Sequence, residues 1–303
     1  MSAANASATE RTAMRRPRLV SSAVRDWPPK YIGGPTAAAI LGVGYKTALQ
    51  AWGEMRGIVP APELNEYMEW GVRLEEVVAR KYAEKTKRTV RRHQRLILHP
   101  EYPFIGGHID RWVIDKDLGR GVLEIKTTSP RFADAWEGEP PAAVQVQLQH
   151  YLMVTDCQWG SIAALIGGQK FVSFDVRRNE AFIASLLKRE IEFWHHVQEG
   201  IPPAPVGADN ALLAAIYSPE DPEGVVDLPP EALQLDQVVR DAKTAIAEHL
   251  VVKEDAEAKL KAMLGKAVLG RLPGGDGYRW KTEPRKSYTV EASNPRTLRR
   301  IKL

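Results

Sequence analysis

Apolar and polar positions recur along this chain with two different periods, and the two periods indicate different kinds of element. In five segments apolar residues recur three and four positions apart or fill a long apolar run, which predicts helices at 37–42, 47–56, 65–85, 142–155 and 179–199. Shorter runs rich in β-branched and aromatic residues predict strands at 95–98, 104–114, 121–127, 161–167 and 170–176. The chain therefore combines a β-meander with flanking helices.

Turn residues divide the chain into regions. A Gly-Gly pair at 167–168 predicts a hairpin between the last two strands. The proline-rich segment 200–205 is typical of the end of a domain. Beyond it, 229–265 is rich in helix formers and 267–281 resembles a hairpin. We predict a flexible basic arm at 1–26, an α/β domain at 27–205 and a helical and β-hairpin extension at 206–303.

Composition and charge limit the classes of protein that this chain can form. Of its 303 residues 44% are hydrophobic, which is ordinary for a globular protein. A single cysteine, Cys157, excludes a disulfide framework and a cysteine-ligated zinc or iron–sulfur site. No run of eighteen apolar residues occurs, so we expect a soluble cytoplasmic protein with no membrane partner. The net charge of +4 favours a polyanionic partner if the positive charge collects on one face.

The residues best suited to chemistry are Asp110 and, fourteen positions later, Glu124 and Lys126. Alternation along a strand places Glu124 and Lys126 on one face, and Leu123 and Ile125 on the other. If the two strands pair, the carboxylates of Asp110 and Glu124 approach closely, which is unfavourable unless a cation lies between them. Mg²⁺ or Mn²⁺ would relieve the repulsion through oxygen ligands. An isolated Glu-x-Lys triplet is also common on a solvated strand, so the triplet alone does not decide.

Several further motifs accompany this triplet. In chain order the sequence has IGGPTAAAILG at 32–42, WGVRLE at 70–75, HPEYP at 99–103, GHID at 107–110, LEIKT at 123–127 and QLQHY at 147–151. Together and in this order they resemble the YqaJ-type viral recombinases, which are similar to λ exonuclease and belong to the PD-(D/E)XK nuclease superfamily. The resemblance covers about residues 30–200. It implies an α/β restriction-endonuclease-like fold, with a mixed central sheet between helices.

The resemblance also implies roles for particular residues. Asp110, Glu124 and the carbonyl of Ile125 would bind Mg²⁺, or Mn²⁺ in its place, and Lys126 would be the catalytic lysine. Glu75 resembles the family's helix-borne acid, which supports a metal ion or its water. Gln147 and Tyr151, four residues apart on one helix face, resemble its Gln/Tyr motif beside the active site.

Two segments depart from the family's pattern. His108-Ile109-Asp110-Arg111 replaces a Ser-Pro-Asp-Gly sequence that is common around the first aspartate, and Pro35-Thr36 replaces a Ser-Asp pair. The replaced residues can contribute hydroxyl groups to a pocket for the 5′-terminal phosphate. We expect cationic and polar side chains to replace them, the candidates being Thr36, Lys46, His108, Arg111, Arg131 and Gln149.

The activity implied by the resemblance is that of a Mg²⁺-dependent 5′–3′ exodeoxyribonuclease. It would degrade one strand of linear double-stranded DNA from its ends and leave a 3′ overhang for recombination by single-strand annealing. An annealing protein is the expected partner, and a homotrimer is implied by resemblance alone. The expected location is the bacterial cytoplasm, for a bacterial or phage-encoded protein. Two alternatives stay open: a PD-(D/E)XK nuclease of other polarity or endonuclease activity, and an inactive DNA-binding module.

Overall fold

A computed structural model describes residues 29–60, 62–63, 65–284 and 298–301. The predicted arm at 1–26 lies outside these residues. The described helices are α1 Gly34–Ile40, α2 Ala48–Met55, α3 Glu66–Thr86, α4 Ala142–Thr155, α5 Glu180–Glu199, α6 Asn210–Ile216 and α7 Glu231–Leu264. The strands are β1 Thr89–Arg92, β2 Ile97–Leu98, β3 Gly106–Gly107, β4 Arg111–Asp115, β5 Gly119–Thr128, β6 Trp159–Ile166, β7 Lys170–Arg177, β8 Leu269–Arg271 and β9 Gly277–Arg279.

A five-stranded mixed sheet organises the larger part of the fold, with the strand order β1-β4-β5-β6-β7. Its neighbouring strands are antiparallel except β5 and β6, which are parallel. A parallel pair needs a crossover connection, and α4 lies on that connection. Helices on both sides complete the predicted mixed α/β architecture, a central mixed sheet between helices. Among the described residues, no helix is long and apolar enough to cross a membrane.

The two faces of the sheet are covered by different helices. On one face, Leu123 of β5 packs in a cluster with Val78 of α3. On the other, Val122 packs in a cluster with Leu148 of α4. Because both faces are covered, a polar side chain near the middle of β5 is enclosed by protein whichever way it points.

The helices predicted from periodicity are confirmed to within a few residues. The N-cap side chains of Thr47 and Asn65 fix where α2 and α3 begin, and they accept hydrogen bonds from the backbone N–H groups of Gln50 and Met68 at 3.0 Å. The strand predicted over 104–114 is instead divided into β3, which pairs with β2, and β4, which joins the main sheet. The chain changes sheets at residues 108–110, so the register is interrupted there.

One arginine fastens the start of β1 to the rest of the sheet. The guanidinium of Arg88 donates to both carboxylate oxygens of Asp175 and to Asp115 and the Tyr82 hydroxyl. Arg88 lowers the pKa of Asp115 to about 2. Its guanidinium also lies 4.7 Å from the ring centroid of Trp159. These contacts set the position of the edge strand β1.

The described residues divide into two compact units, with the boundary between Ser218 and Pro219. The boundary differs from the one predicted at residue 205. The reason is that α6 packs on the first unit: Leu212 and Ile216 lie against the cluster that includes Trp52. Asp209, just before α6, accepts a hydrogen bond from the Thr47 hydroxyl. In the second unit, α7 extends over 34 residues and has no buried side chain.

A buried ion pair links α4 and α5 behind the sheet. Nδ1 of His150 lies 2.8 Å from Oε1 of Glu190, and its Nε2 lies 3.0 Å from the carbonyl oxygen of Gly106. Both side chains are fully buried. Burial by itself lowers the pKa of His150, but the charge and hydrogen bond of Glu190 and the Gly106 carbonyl outweigh it, so the pKa is raised. The protonated imidazole can donate to both oxygens.

We expect Glu190→Gln to reverse the pH dependence of stability that comes from His150. In the wild type the raised folded-state pKa stabilises the protein below the unfolded value of about 6.5, and this contribution is lost as pH rises through the folded value. Without the Glu190 charge, burial lowers that pKa, so stability is lost as pH falls. Each pKa unit corresponds to about 1.4 kcal/mol.

Urea unfolding at pH 6 and pH 9 measures this effect. Glu192→Gln, at an exposed position of the same helix, is the matched control and should follow the wild type. If the free energy of unfolding changes between pH 6 and pH 9 by the same amount in Glu190→Gln as in the wild type, the assignment of a protonated His150 is contradicted.

Candidate functional site

The site lies where β5 continues past the start of β4. Arg111, the first residue of β4, is paired in register with Leu123, so β5 has no β4 partner beyond that point. The carboxylate of Asp110 takes the place of a strand there, and its Oδ2 accepts a hydrogen bond of 2.7 Å from the N–H of Ile125. The interruption of the predicted strand therefore positions the aspartate.

Glu124 and Lys126 point to the α4 side of the sheet. Nζ of Lys126 lies 2.7 Å from Oε1 of Glu124 and donates to Oε1 of Gln147 at 2.9 Å. Nε2 of Gln147 in turn donates to the Tyr151 hydroxyl at 3.2 Å. Because an ammonium group can only donate, Lys126 fixes which end of the Gln147 amide faces it. Four predicted site residues thus form one hydrogen-bonded chain.

Burial and mutual charge strongly affect the ionisable groups here. Burial, followed by the charge of Glu124, raises the pKa of Asp110 well above its usual range. Burial also raises the pKa of Glu124, against the opposing effect of Lys126. Burial lowers the pKa of Lys126, but the charges of Glu124 and Asp110 outweigh it and the net shift is upward. The pKa of Tyr151 is raised well above its usual range, first by burial and then by both carboxylates, so its phenol stays protonated.

The donor set fits a hard divalent cation. Oε2 of Glu124 is buried and has no hydrogen-bond partner among the described residues. This oxygen and the carboxylate of Asp110 are the ligand type that Mg²⁺ and Mn²⁺ prefer. Within the described ranges, no group of three or more His, Cys, Asp and Glu side chains is gathered as a metal cluster. A cation here would therefore need backbone or water oxygens in addition to these two acids.

Glu75 is near the site but is paired with an arginine. Its carboxylate accepts a short hydrogen bond from Nη1 of Arg111, and Nη2 of Arg111 reaches Glu76 at 3.1 Å. Nη1 also donates to the carbonyl of Asp110 at 2.6 Å. The side chain of Arg111 is 5% exposed. The arginine that departs from the family's pattern thus links the helix-borne acid to the backbone of the first aspartate.

Two cavities meet at the site. The first, of about 590 Å³, includes Glu75, Asp110 and Lys126 in its walls. The second, of about 900 Å³, is lined by Thr36, Lys46 and Gln147, and by Tyr31 and Tyr67. His108 and Lys126 line both cavities. The catalytic candidates therefore stand between an open cleft and a wider, more apolar recess.

The candidates for phosphate binding occupy different places. Thr36, Lys46 and His108 line the recess, and Lys46 is ion-paired with the buried carboxylate of Glu54. Arg131 lies outside the walls of both cavities, 4.5 Å from the ring centroid of Phe132. Gln149 is also outside them, and its amide bonds to the Arg177 carbonyl and the Asn179 N–H. Arg111, the sixth candidate, lines the first cavity. The structure thus brings four of the six candidates to the site, and not Arg131 or Gln149.

Sequence analysis did not identify two groups of site residues. Arg92 and His93 line the first cavity from the end of β1, a strand more polar than any that was predicted. Its pair of β-branched residues, Thr89 and Val90, was the available signal. Gly34 was quoted within a motif without a role, yet a Cβ atom there would lie 2.5 Å from Cγ of Gln147. The Gly-Gly-Pro turn therefore allows α1 to approach α4 closely.

Comparison with known families gives a match over less than half of the chain. Residues 25–158 match the model of the YqaJ-like viral recombinase domain. The protein YqaJ of Bacillus subtilis (strain 168) is 36% identical over 207 residues, which are 66% of this chain and 64% of the relative. The chain thus spans less than two thirds of that relative's length. Over residues 25–158, the chain is thus similar to the YqaJ-like viral recombinase domain.

Solved structures give a weaker likeness. An alkaline exonuclease from Laribacter hongkongensis has a TM-score of 0.48 at 19% identity, covering 57% of this chain and 91% of its own. A phage-related exonuclease from Haemophilus somnus 129PT has a TM-score of 0.45 at 16% identity, covering 56% of this chain and 95% of its own. Both overlaps include little more than half of this chain.

We expect Gly34→Ala to destabilise the protein by about 1–3 kcal/mol, the usual cost of overpacking. The added methyl group would lie 2.5 Å from Gln147 and 3.0 Å from the Tyr151 ring. Thermal unfolding should show a fall of several degrees. Gly33→Ala is the matched control, because its new Cβ has no neighbour closer than 3.7 Å. Equal melting temperatures for both variants would show that α1 does not pack this tightly on α4.

Proposed function

We propose that the protein is a metal-dependent nuclease that degrades one strand of linear double-stranded DNA. The observation that supports this most strongly is the convergence of Asp110, Glu124 and Lys126 at the open end of β5, with Gln147 behind the lysine. The domain model that residues 25–158 match is that of a viral recombinase.

Asp110 and Glu124 would hold Mg²⁺, or Mn²⁺ in its place, with the Ile125 carbonyl as a further ligand. When bound, the ion would polarise the phosphodiester and lower the pKa of a water molecule. The other contributions come from side chains. Lys126 would orient the attacking water and stabilise negative charge that develops on the phosphate.

Lys126 is held for this role by partners on two sides. Glu124 and Gln147 both accept hydrogen bonds from its ammonium group, so the group is positioned before substrate arrives. The raised pKa of Lys126 keeps it protonated. Tyr151 fixes the far end of the Gln147 amide. Gln147 and Tyr151 would therefore act by positioning Lys126.

Glu75 would act at the edge of this centre. Glu75 lines the cleft, and the ion pair with Arg111 balances its charge. This position suits a role in holding a water molecule on the metal ion. Arg111 would thereby support both Glu75 and the backbone at Asp110.

We further propose that the protein is a 5′–3′ exonuclease. It would release 5′-phosphate products and leave a 3′ overhang for single-strand annealing. The recess lined by Thr36, Lys46 and His108 is the proposed place for the 5′-terminal phosphate. An annealing protein is the proposed partner and a homotrimer the proposed assembly. A nuclease of other polarity or an endonuclease would use the same acids and lysine, and substrate ends distinguish these activities.

We expect Mg²⁺-dependent release of a 5′ label from linear duplex DNA by the wild type, and at least a hundredfold loss in Glu124→Ala and in Lys126→Ala. The loss follows because a metal ligand or a positioned charge contributes about 3 kcal/mol or more to the transition state. The measurement uses duplexes labelled at either end, with Mg²⁺ or with EDTA. Glu76→Gln, beside the site on a half-exposed side chain, is the control and should retain activity.

End-labelled linear duplexes and closed circular DNA test the direction and the alternatives. Preferential release of the 3′ label would contradict the proposed polarity, and cleavage of closed circular DNA would favour an endonuclease. Intact DNA in both Mg²⁺ and Mn²⁺, with binding retained, would replace the nuclease with a DNA-binding module.

We expect Mg²⁺ to raise the melting temperature of the wild type and to have little effect on Glu124→Gln. A ligand that binds the folded state stabilises it by an amount that grows with its concentration above the dissociation constant. Replacing the buried Glu124 carboxylate with an amide removes one metal ligand. It also removes one of the two anions whose mutual repulsion the cation would relieve. Thermal unfolding over a Mg²⁺ titration measures this without any cleavage assay. The same rise in both proteins would place the cation elsewhere.

A further inference from the structure

A short segment after β1 forms its own cavity beside the site. The segment Arg92-His93-Gln94-Arg95, named here the RHQR segment, lines a cavity of about 550 Å³. Its first three residues also line the cleft that contains Asp110 and Lys126. Because the cavity and the cleft share these three lining residues, a polymer in the cleft can reach the RHQR segment.

The side chains of this smaller cavity favour an anion, whereas those of the proposed metal site favour a cation. Each of its lining side chains can donate hydrogen bonds, and none of them is acidic. Arg92 and Arg95 are exposed, and neither makes an ion pair or side-chain hydrogen bond with another described residue. Two guanidinium groups without acidic partners favour an anion, and their planar donor geometry suits a phosphate.

The tautomer of His93 adds a further donor. Nε1 of Trp112 donates to Nδ1 of His93 at 3.2 Å. Since an indole N–H can only donate, Nδ1 is an acceptor and the proton of the neutral ring is on Nε2. That Nε2 is buried and has no hydrogen-bond partner in the described part of the chain. An unsatisfied buried donor costs free energy, and a shift of the His93 ring that exposes this N–H to the cavity would let a phosphate oxygen accept from it.

Strand register places the segment next to the first aspartate. Arg92 is paired with Arg111, the residue that follows Asp110. The guanidinium of Arg111 is occupied by Glu75 and Glu76, which leaves Arg92 as the available cation of this pair. Arg91 is paired with Trp112, alternates to the other face of β1 and lines neither cavity.

From these observations we propose that Arg92, His93 and Arg95 form a subsite for a backbone phosphate of the DNA strand in the cleft. This phosphate lies one or a few nucleotides from the bond that is presented to Asp110 and Glu124. The inference rests on the proposed function and deepens it, because it states where the substrate strand runs beyond the reacting phosphate. The subsite positions the strand and does not take part in bond cleavage.

The test compares Arg92→Gln and Arg95→Gln with Arg91→Gln in the full-length chain. All three remove one exposed positive charge from the same segment of the fold. Binding of a fluorescent linear duplex is measured by anisotropy in Ca²⁺ over a salt titration, and cleavage kinetics are measured in Mg²⁺. Thermal unfolding checks that each variant is folded.

We expect Arg92→Gln and Arg95→Gln each to weaken binding about tenfold at low salt. The slope of log affinity against log salt should fall by about one, as for one lost phosphate contact. KM should rise with kcat nearly unchanged, because a contact made equally in the ground and transition states is lost. Arg91→Gln should stay within about twofold of the wild type in every measurement.

The outcomes separate the two proposals. If the wild type binds and cleaves DNA but all three variants behave alike, the subsite is wrong and the proposed function stands. A fall in kcat without a rise in KM would also overturn the subsite, since it would place these residues in the chemical step. If the wild type neither binds nor cleaves linear duplex DNA, the proposed function fails, and the subsite fails with it.

Discussion

A carboxylate inside a covered sheet is unstable without compensation, and Glu124 imposes this constraint on the surrounding structure. Its side chain is 2% exposed, and α4 covers the face of β5 on which it lies. Lys126 is ion-paired with one carboxylate oxygen, and Gln147 and Tyr151 extend the hydrogen-bonded chain from Lys126. The other carboxylate oxygen has no hydrogen-bond partner among the described residues. The packing of α4, the Gly-Gly-Pro turn before α1 and the register of β5 together determine the surroundings of this carboxylate.

The same region separates charges of opposite sign over a short distance. Asp110 and Glu124 form the acidic centre, while Arg111 balances Glu75 at its edge. Arg92 follows on the neighbouring strand without an acidic partner among the described residues. An arrangement of this kind suits a polyanion that must bring one phosphate to a cation while its neighbours are held by arginines. The net charge of +4 alone does not indicate this local pattern.

Fold and site were predictable from the sequence to different degrees. The apolar periodicity of α3 and α5 gave their bounds closely, because burial of one face dominates these long helices. The bounds of α4 came instead from a long apolar run, and this helix is buried on almost all sides. The interruption at residues 108–110 was not predicted, since it depends on pairing with two different sheets. The candidates Arg131 and Gln149 were chosen by residue type, and type does not indicate which way a side chain points.

By itself, the sequence determined the acids, the lysine and their spacing, together with the order of motifs in which the chain resembles the YqaJ-like viral recombinase domain. Alternation along β5 was also determined, because side chains on a strand must point to opposite faces. Tertiary structure decided that Glu124 is buried and that Arg111 binds Glu75. It also decided that Arg92 lies beside Asp110. These contacts join residues far apart in the chain, so they depend on packing that no local pattern encodes.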